Sequence, residues 1–373
     1  MAALSEEQQM IKDQAVAWVK EQAPLTTFRA MRDQGTELGF FPETWSAMTE
    51  LGWSGMLVPE AYGGAGLGYQ TLGLVLEQLG RNLVPSPLFA SSVLGASALM
   101  QFGSDEQKQR LLPSIADGSR LMVVAMDEGP RFNPASVATR LLGSPDSLIL
   151  TGEKCFVMEG MAASDFLVVA LIENDAGDPS LGLVRVSADA PGIHRKPVKT
   201  MDSRGYANVS FDQVAVSSLE VLTGEGSIDK LFDVAAVTLS AEMLGSAAAA
   251  FDMTLEYLKT RKQFGQVIGG FQALGHRAAS LYSEMELTRS CVEAALAALD
   301  QDREDVAELA SLAKGKTSEF LHEMSSQLIQ IHGGIGMTDE FDAGFYLKRA
   351  RVVEAAFGNA AYHRDRFATA SGF

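Results

Sequence analysis

Groups able to hold a phosphate and a flat ring stand together in "RKQFGQVIGGFQ", Arg261 to Gln272. Arg261 offers a fixed fork of donors suited to phosphate. Phe264 can lie against a planar ring. A second stretch, "QIHGGIGMTDE" from Gln330 to Glu340, ends a helical run in Gly333 and Gly334. Without Cβ atoms the backbone there can approach a ligand closely. The same residues also read as a helix C-cap and a surface arginine. A third stretch, "VEAAFGNAAYHRDRF" from Val353 to Phe367, bears on proton transfer. Glu354 lies at one edge and Asp365 near the other. Its middle, Phe357–Gly358–Asn359, has no group that acts as a base near neutral pH. Other acids and bases to weigh are Asp127, Glu128, Asp233, Glu242, His332 and His363. Glu242 sits in "LSAEMLG", a small-residue helix, where a buried carboxylate reads first as a structural hydrogen-bonding group.

The elements that must position these groups follow from pattern. Residues 1–120 read as helical. "SEEQQMIKDQAVAWVKEQ" puts Met10, Ile11, Ala15, Trp18 and Val19 on one face. Ser104 with Gln107 three residues later forms a capping-box pattern. Between 121 and 225 the texture changes to short β-type runs, and Val209, Phe211, Val214 and Val216 suit an antiparallel sheet with one wet face. From 226 to 373 long Ala- and Leu-rich helices predict a helical bundle. The expectation is an α+β multidomain chain: a helical domain over 1–120, an antiparallel β domain over 121–225 and a helical bundle over 226–373.

Composition narrows the partners. A net charge of −17 without a basic run argues against nucleic acid. Apolar runs such as "DFLVVALI" are too short to cross a bilayer. The first residues lack the basic and apolar regions of a signal peptide. Cys155 and Cys291 lack metal-ligand spacing and read as reduced, packed thiols, so a cytoplasmic location is expected.

Taken in order, these segments resemble the acyl-CoA dehydrogenase family over nearly the whole chain, which implies that the C-terminal bundle has four helices. The family's R-x-x-F-G…F-Q element is matched by Arg261, Phe264, Gly265, Phe271 and Gln272. Its Q-x-x-G-G element is matched by Gln330, Gly333 and Gly334, followed by "GMTDEFDAGFYLKRAR". "MDSRGYANVSFDQVAV" looks like the family's Arg-Gly turn and strand, and "LTGEKCFVMEG" like its flavin-side hairpin. The resemblance implies FAD, with Arg261, Phe264, Gln272, Gln330, Gly333 and Gly334 completing a site held mainly by a neighbouring subunit. An oligomer, a dimer of dimers, is therefore expected. On the isoalloxazine side, Asp127–Glu128 replaces the usual Thr-Glu, and the Gly-Ser-Asp that follows is absent. Phe156 stands for a Trp and Met158 for a Thr. Phe156 can still cover a flavin face, and Asp127 can accept from flavin N3–H. Phe232 and Asp233 match a pair that borders CoA in some members. Asp233 also reads as a helix cap.

The resemblance implies removal of an α proton by a carboxylate while a hydride leaves the β carbon. The usual Glu aligns with Phe357, and the Thr two residues on with Asn359. An alternative Glu position on the long helix aligns with Ala235. Three explanations follow. A partner subunit supplies the base, as in the bacterial two-component enzymes whose small subunits this chain is similar to. Another acid works from a new place. Or the flavin does monooxygenase chemistry, with His363 the first candidate. A non-catalytic assembly subunit is the remaining alternative. An acyl-CoA substrate and an electron-transfer flavoprotein are the other expected partners.

Overall fold

In the computed structural model, residues 4–144, 146–173, 179–222, 224 and 226–373 are described. Among the described residues, six α-helices precede the sheet: α1 (Glu6–Gln22), α2 (Leu25–Gln34), α3 (Pro42–Glu50), α4 (Gly68–Arg81), α5 (Ala96–Phe102) and α6 (Asp105–Ala116). The capping box expected at Ser104 forms, and α1 opens with a second one that the sequence reading did not name. Ser5 Oγ accepts from the Gln8 amide at 3.1 Å, and Gln8 returns the bond to the Ser5 amide. Ser104 and Gln107 make the same reciprocal pair at the start of α6. On α1, Ala15, Trp18 and Val19 are buried as expected, whereas Met10 is 73% exposed.

Strands β1 (Met122–Ala125), β2 (Arg140–Ser144), β3 (Ser147–Met158), β4 (Asp165–Glu173), β5 (Pro179–Ser187), β6 (Ile193–Lys199), β7 (Gly205–Val216) and β8 (Val221–Leu222) form one sheet. Its order is β6-β7-β3-β2-β4-β5-β8, with β1 added against β4. Most pairs are antiparallel, but β1 and β2 both run parallel to β4. The long connection between them permits this. The inward faces meet in one core that includes Val123, Leu150, Phe166, Val184, Val209 and Phe211.

Two irregularities in the β3–β7 ladder explain its sequence. The apolar alternation slips by one residue between Phe211 and Val214. There the register shifts, and Gln213 takes a φ of +51°. The bulge restores Val214 and Val216 to the buried face. A second shift lies between Lys154 and Val157, where Phe156 also has a φ of +51°.

After the sheet come α7 (Ile228–Thr260), a two-residue-stranded hairpin β9–β10 (Lys262–Gln263 and Gln266–Val267), α8 (Gln272–Asp300), α9 (Val306–His332), α10 (Ala343–Val353) and α11 (Ala360–Ala370). The order is thus helical, sheet, helical. By packing, the chain forms two compact units: 30–68 with 85–235, which holds the sheet, and 1–29 with 69–84 and 236–373. The expected boundaries at 120 and 225 rest on element order, and residue 225 itself lies outside the described residues.

In the second unit α4 and α7 cross at mutual glycines. A Cβ on Gly80 would meet Glu242 O at 1.9 Å, and one on Gly245 would meet Glu77 O at 1.9 Å. The helices can touch only because neither carries a side chain there. By length and composition α7 is apolar enough to cross a membrane, yet 94% of its most apolar window is buried in this core.

Candidate active site

Within the sheet unit, the candidate residues gather at the end of β1 and on β3. The second bulge turns Phe156 outward, leaving its ring 44% exposed, and its amide donates to Asn208 Oδ1 at 3.2 Å. Met158 packs partly buried against the sheet core. Beside them Lys154 is fully buried. Its Nζ donates to Glu128 Oε1 at 2.7 Å and to Met126 O at 3.0 Å. Glu128 also accepts from the amides of Ala138 and Thr139. Burial alone would raise the Glu128 carboxyl, but Lys154, Thr139 and these amides hold it below the ordinary range. It is a structural anion.

Asp127 differs. Burial pushes its carboxyl up to about 6, against the pull of Lys154. Among the described residues its carboxylate has no hydrogen-bond partner. Phe232 is buried and packs edge-on to Phe132 at 5.2 Å. Asp233 is buried too, at the sixth position of α7. It is therefore not a cap, because capping requires the residue before the first turn.

Within the helical unit, the first two sequence motifs come together. Leu258, Ile268 and Ile331 form a small apolar cluster, with Tyr257 and Phe271 against it. Leu258 and Ile268 flank the β9–β10 hairpin, and Ile331 follows Gln330. The hairpin carries Arg261 at its base and Phe264 at its tip. Phe264 and Gly265 have φ values of +51° and +81°, as a two-residue hairpin turn requires. Phe264 is 94% exposed. Arg261 is exposed, and among the described residues its guanidinium meets no carboxylate. Gln272 opens α8 and is exposed; so is Gln330. Gly333 has φ +62° and ψ −136°, a conformation open essentially to glycine alone. A Cβ on Gly333 or Gly334 would meet nothing within 4 Å. His332 stacks on Tyr257 at 4.2 Å, and burial holds its imidazole below the ordinary value.

The third motif forms a tight turn between α10 and α11. Phe357 is buried and left-handed at φ +53°, followed by Gly358 at φ +96°. Asn359 caps α11, its Oδ1 accepting from the Tyr362 amide at 3.0 Å. The two edge acids are otherwise engaged or remote. Glu354 bonds to His322 at 2.9 Å and to Arg351 at 3.2 Å. Asp365 is exposed on α11. Glu242 pairs with Arg349 at 2.6 Å, both buried. His363 Nε2 meets Phe357 O at 2.9 Å, and burial, with Lys314 nearby, pushes its pKa down to about 4. That makes it a weak base near neutrality.

Sequence reading passed over Lys314. It lies at the centre of α9, fully buried, and its Nζ donates to Ser318 Oγ (3.0 Å), Gly358 O (2.9 Å) and Glu354 O (3.3 Å). The available signal was its place on a buried face with Ala310, Ala313, Thr317 and Leu321.

Comparison with known proteins agrees with this layout. The family model "Acyl-CoA dehydrogenase, N-terminal domain" matches residues 5–119, and "Acyl-CoA dehydrogenase, C-terminal domain" matches 223–372. The "Probable acyl-CoA dehydrogenase YngJ" of Bacillus subtilis is 32% identical over 97% of each chain. A solved Tcur3481–Tcur3483 steroid ACAD variant superposes with a TM-score of 0.89 at 31% identity, covering 98% of both chains. The ChsE4–ChsE5 complex from Mycobacterium tuberculosis gives a TM-score of 0.91 at 26% identity, covering 100% of this chain and 99% of the other. With both domain models in register and a relative of this identity spanning nearly its whole length, the chain belongs to the acyl-CoA dehydrogenase family of oxidoreductases.

Proposed function

We propose that the chain is one subunit of an FAD-dependent, two-component acyl-CoA dehydrogenase whose proton-abstracting carboxylate comes from a partner subunit. The observation that carries this reading is the turn between α10 and α11. Phe357 occupies its centre with a buried side chain, and the neighbouring Glu354 is tied to His322 and Arg351. Ala235, at the alternative position on α7, offers no carboxylate. Among the similar proteins, ChsE4–ChsE5 is a complex of two chains.

FAD is the cofactor, and the residues present suit it. Arg261, which meets no carboxylate among the described residues, fits a phosphate. Phe264, with Met337 82% exposed nearby in sequence to the glycine pair, offers apolar surface that a monomer does not ordinarily leave bare. Gly333 and Gly334 leave room for close approach. Together with Gln272 and Gln330 these residues would hold the cofactor's pyrophosphate and adenosine half across a subunit interface. Phe156 would cover its ring, Asp127 would accept a hydrogen bond from it, and Met158 would contribute backbone. Asn359 completes the list while capping α11. FAD, when bound, supplies the two-electron acceptor for the substrate's β C–H. Phe232 and Asp233 border the CoA portion. The Phe357 amide holds the thioester oxygen, which polarises the carbonyl and acidifies the α proton. Electrons pass on to an electron-transfer flavoprotein. The assembly is a cytoplasmic dimer of dimers.

The test is to purify the chain alone and co-expressed with the product of the neighbouring gene. The reading expects acyl-CoA-dependent bleaching of flavin absorbance only in the co-expressed complex. Bleaching by the chain alone would point instead to a relocated base. Asp127 favours that second reading, as a carboxyl group that burial raises to about 6 and that, among the described residues, has no hydrogen bond to hold it. Asp127→Asn would then abolish the bleaching while FAD stays bound.

A further inference from the structure

A fully buried ammonium is costly unless each of its donors finds an acceptor. Lys314 meets that condition without touching a carboxylate. Its three contacts are Ser318 Oγ, one turn along its own helix, and the carbonyls of Glu354 and Gly358. Those carbonyls bracket the turn that holds Phe357. A third carbonyl, that of Phe357 itself, is taken by His363 Nε2. Among the described residues His363 Nδ1 is buried without a hydrogen-bond partner, so the ring is the neutral tautomer that donates from Nε2 to the carbonyl. Three of the five carbonyls from 354 to 358 are thus fixed by two side chains from α9 and α11.

The turn needs such fixing. Phe357 is left-handed, a strained state for a residue with a Cβ. Gly358 follows in the same sense, where a Cβ would meet the Tyr362 ring at 2.5 Å and His363 Nε2 at 2.9 Å. A peptide plane is rigid, so the pinned carbonyls also set the amides of Ala355, Gly358 and Asn359, which fixes the chain on both sides of the Phe357 amide. Ordinary packing does not require a lysine here, since a methionine would fill the same volume without the desolvation cost.

We propose that Lys314 and His363 are positioning residues: by holding the carbonyls of Glu354, Phe357 and Gly358 they fix the 354–358 turn in the conformation that receives the thioester end of the substrate. This rests on the reading that the Phe357 peptide faces that thioester.

The test compares two ligands on the FAD-loaded protein in its assembled state: an acyl-CoA thioester and the matching S-alkyl-CoA thioether, which lacks only the carbonyl oxygen. Wild type binds the thioester more tightly. Lys314→Met is expected to weaken thioester binding by about tenfold, the worth of one hydrogen bond, and to leave thioether binding unchanged. An equal loss for both ligands, or no loss for either, overturns the proposal. Should Lys314→Met not fold, His363→Phe, which removes the donor to Phe357 O, is read in the same way. Failure of the wild type to discriminate the two ligands would overturn the underlying reading of the turn, and the proposal with it.

Discussion

Lys314 and His363 bind fewer protons in the folded chain than in the unfolded one. Burial lowers Lys314 from 10.5 to about 7, against the pull of Glu354. His363 falls from 6.5 to about 4 through burial and the nearby Lys314 charge. Stability rises with pH wherever the unfolded state binds more protons. The Lys314 contribution therefore increases from about pH 7 towards 10.5, and the His363 contribution is lost as pH falls from 6.5 towards 4. Melting curves across pH should show the alkaline rise in wild type and its absence in Lys314→Met. An unchanged profile in the variant would mean that this lysine is not the group titrating. Glu242 makes a different prediction. Its partner Arg349 is buried, so Glu242→Gln strands a cation and costs about 3–5 kcal/mol, read as a fall in Tm. A loss of turnover without a fall in Tm would instead mark Glu242 as the base.

At the scale of elements, the β9–β10 hairpin and the α4–α7 crossing have opposite tolerances. Phe264→Gly removes an exposed ring and relieves a positive φ, so the apoprotein should melt no lower than wild type while retaining less FAD through purification. Full FAD retention would remove Phe264 from the cofactor site. Gly245→Ala, by contrast, drives a methyl against Glu77 O, and should lower stability by about 3 kcal/mol in denaturant titration. The patterns that were legible in the sequence were local ones. The capping box at Ser104, the long apolar helices and the strands at 122–125, 147–158, 165–173 and 205–216 all follow from spacing. Strand β6, "IHRKPVK", was not legible, because an edge strand with exposed faces has no buried alternation. The parallel contacts of β1 and β2 with β4 depend on long-range pairing, which no local pattern encodes.

For the whole molecule, the motifs read from sequence proved informative about neighbourhood and less so about chemistry. Arg261, Phe264, Gln330 and the glycine pair were recognisable as types, and folding gathers them around Leu258, Ile268 and Ile331. Lys314 escaped notice because a lysine reads as solvated until its three acceptors, two of them about forty residues away in sequence, are seen. The carboxylates sorted themselves only by partner: Glu128 with Lys154, Glu242 with Arg349, Glu354 with His322 and Arg351, and Asp127 with no hydrogen bond among the described residues. The central claim is that this chain holds FAD but borrows its base. The most direct measurement is flavin absorbance on adding an acyl-CoA, made on the FAD-loaded chain alone and on the complex with its partner subunit. The account predicts a stable spectrum for the first and bleaching for the second. Bleaching of the isolated chain at the same rate as the complex would contradict it.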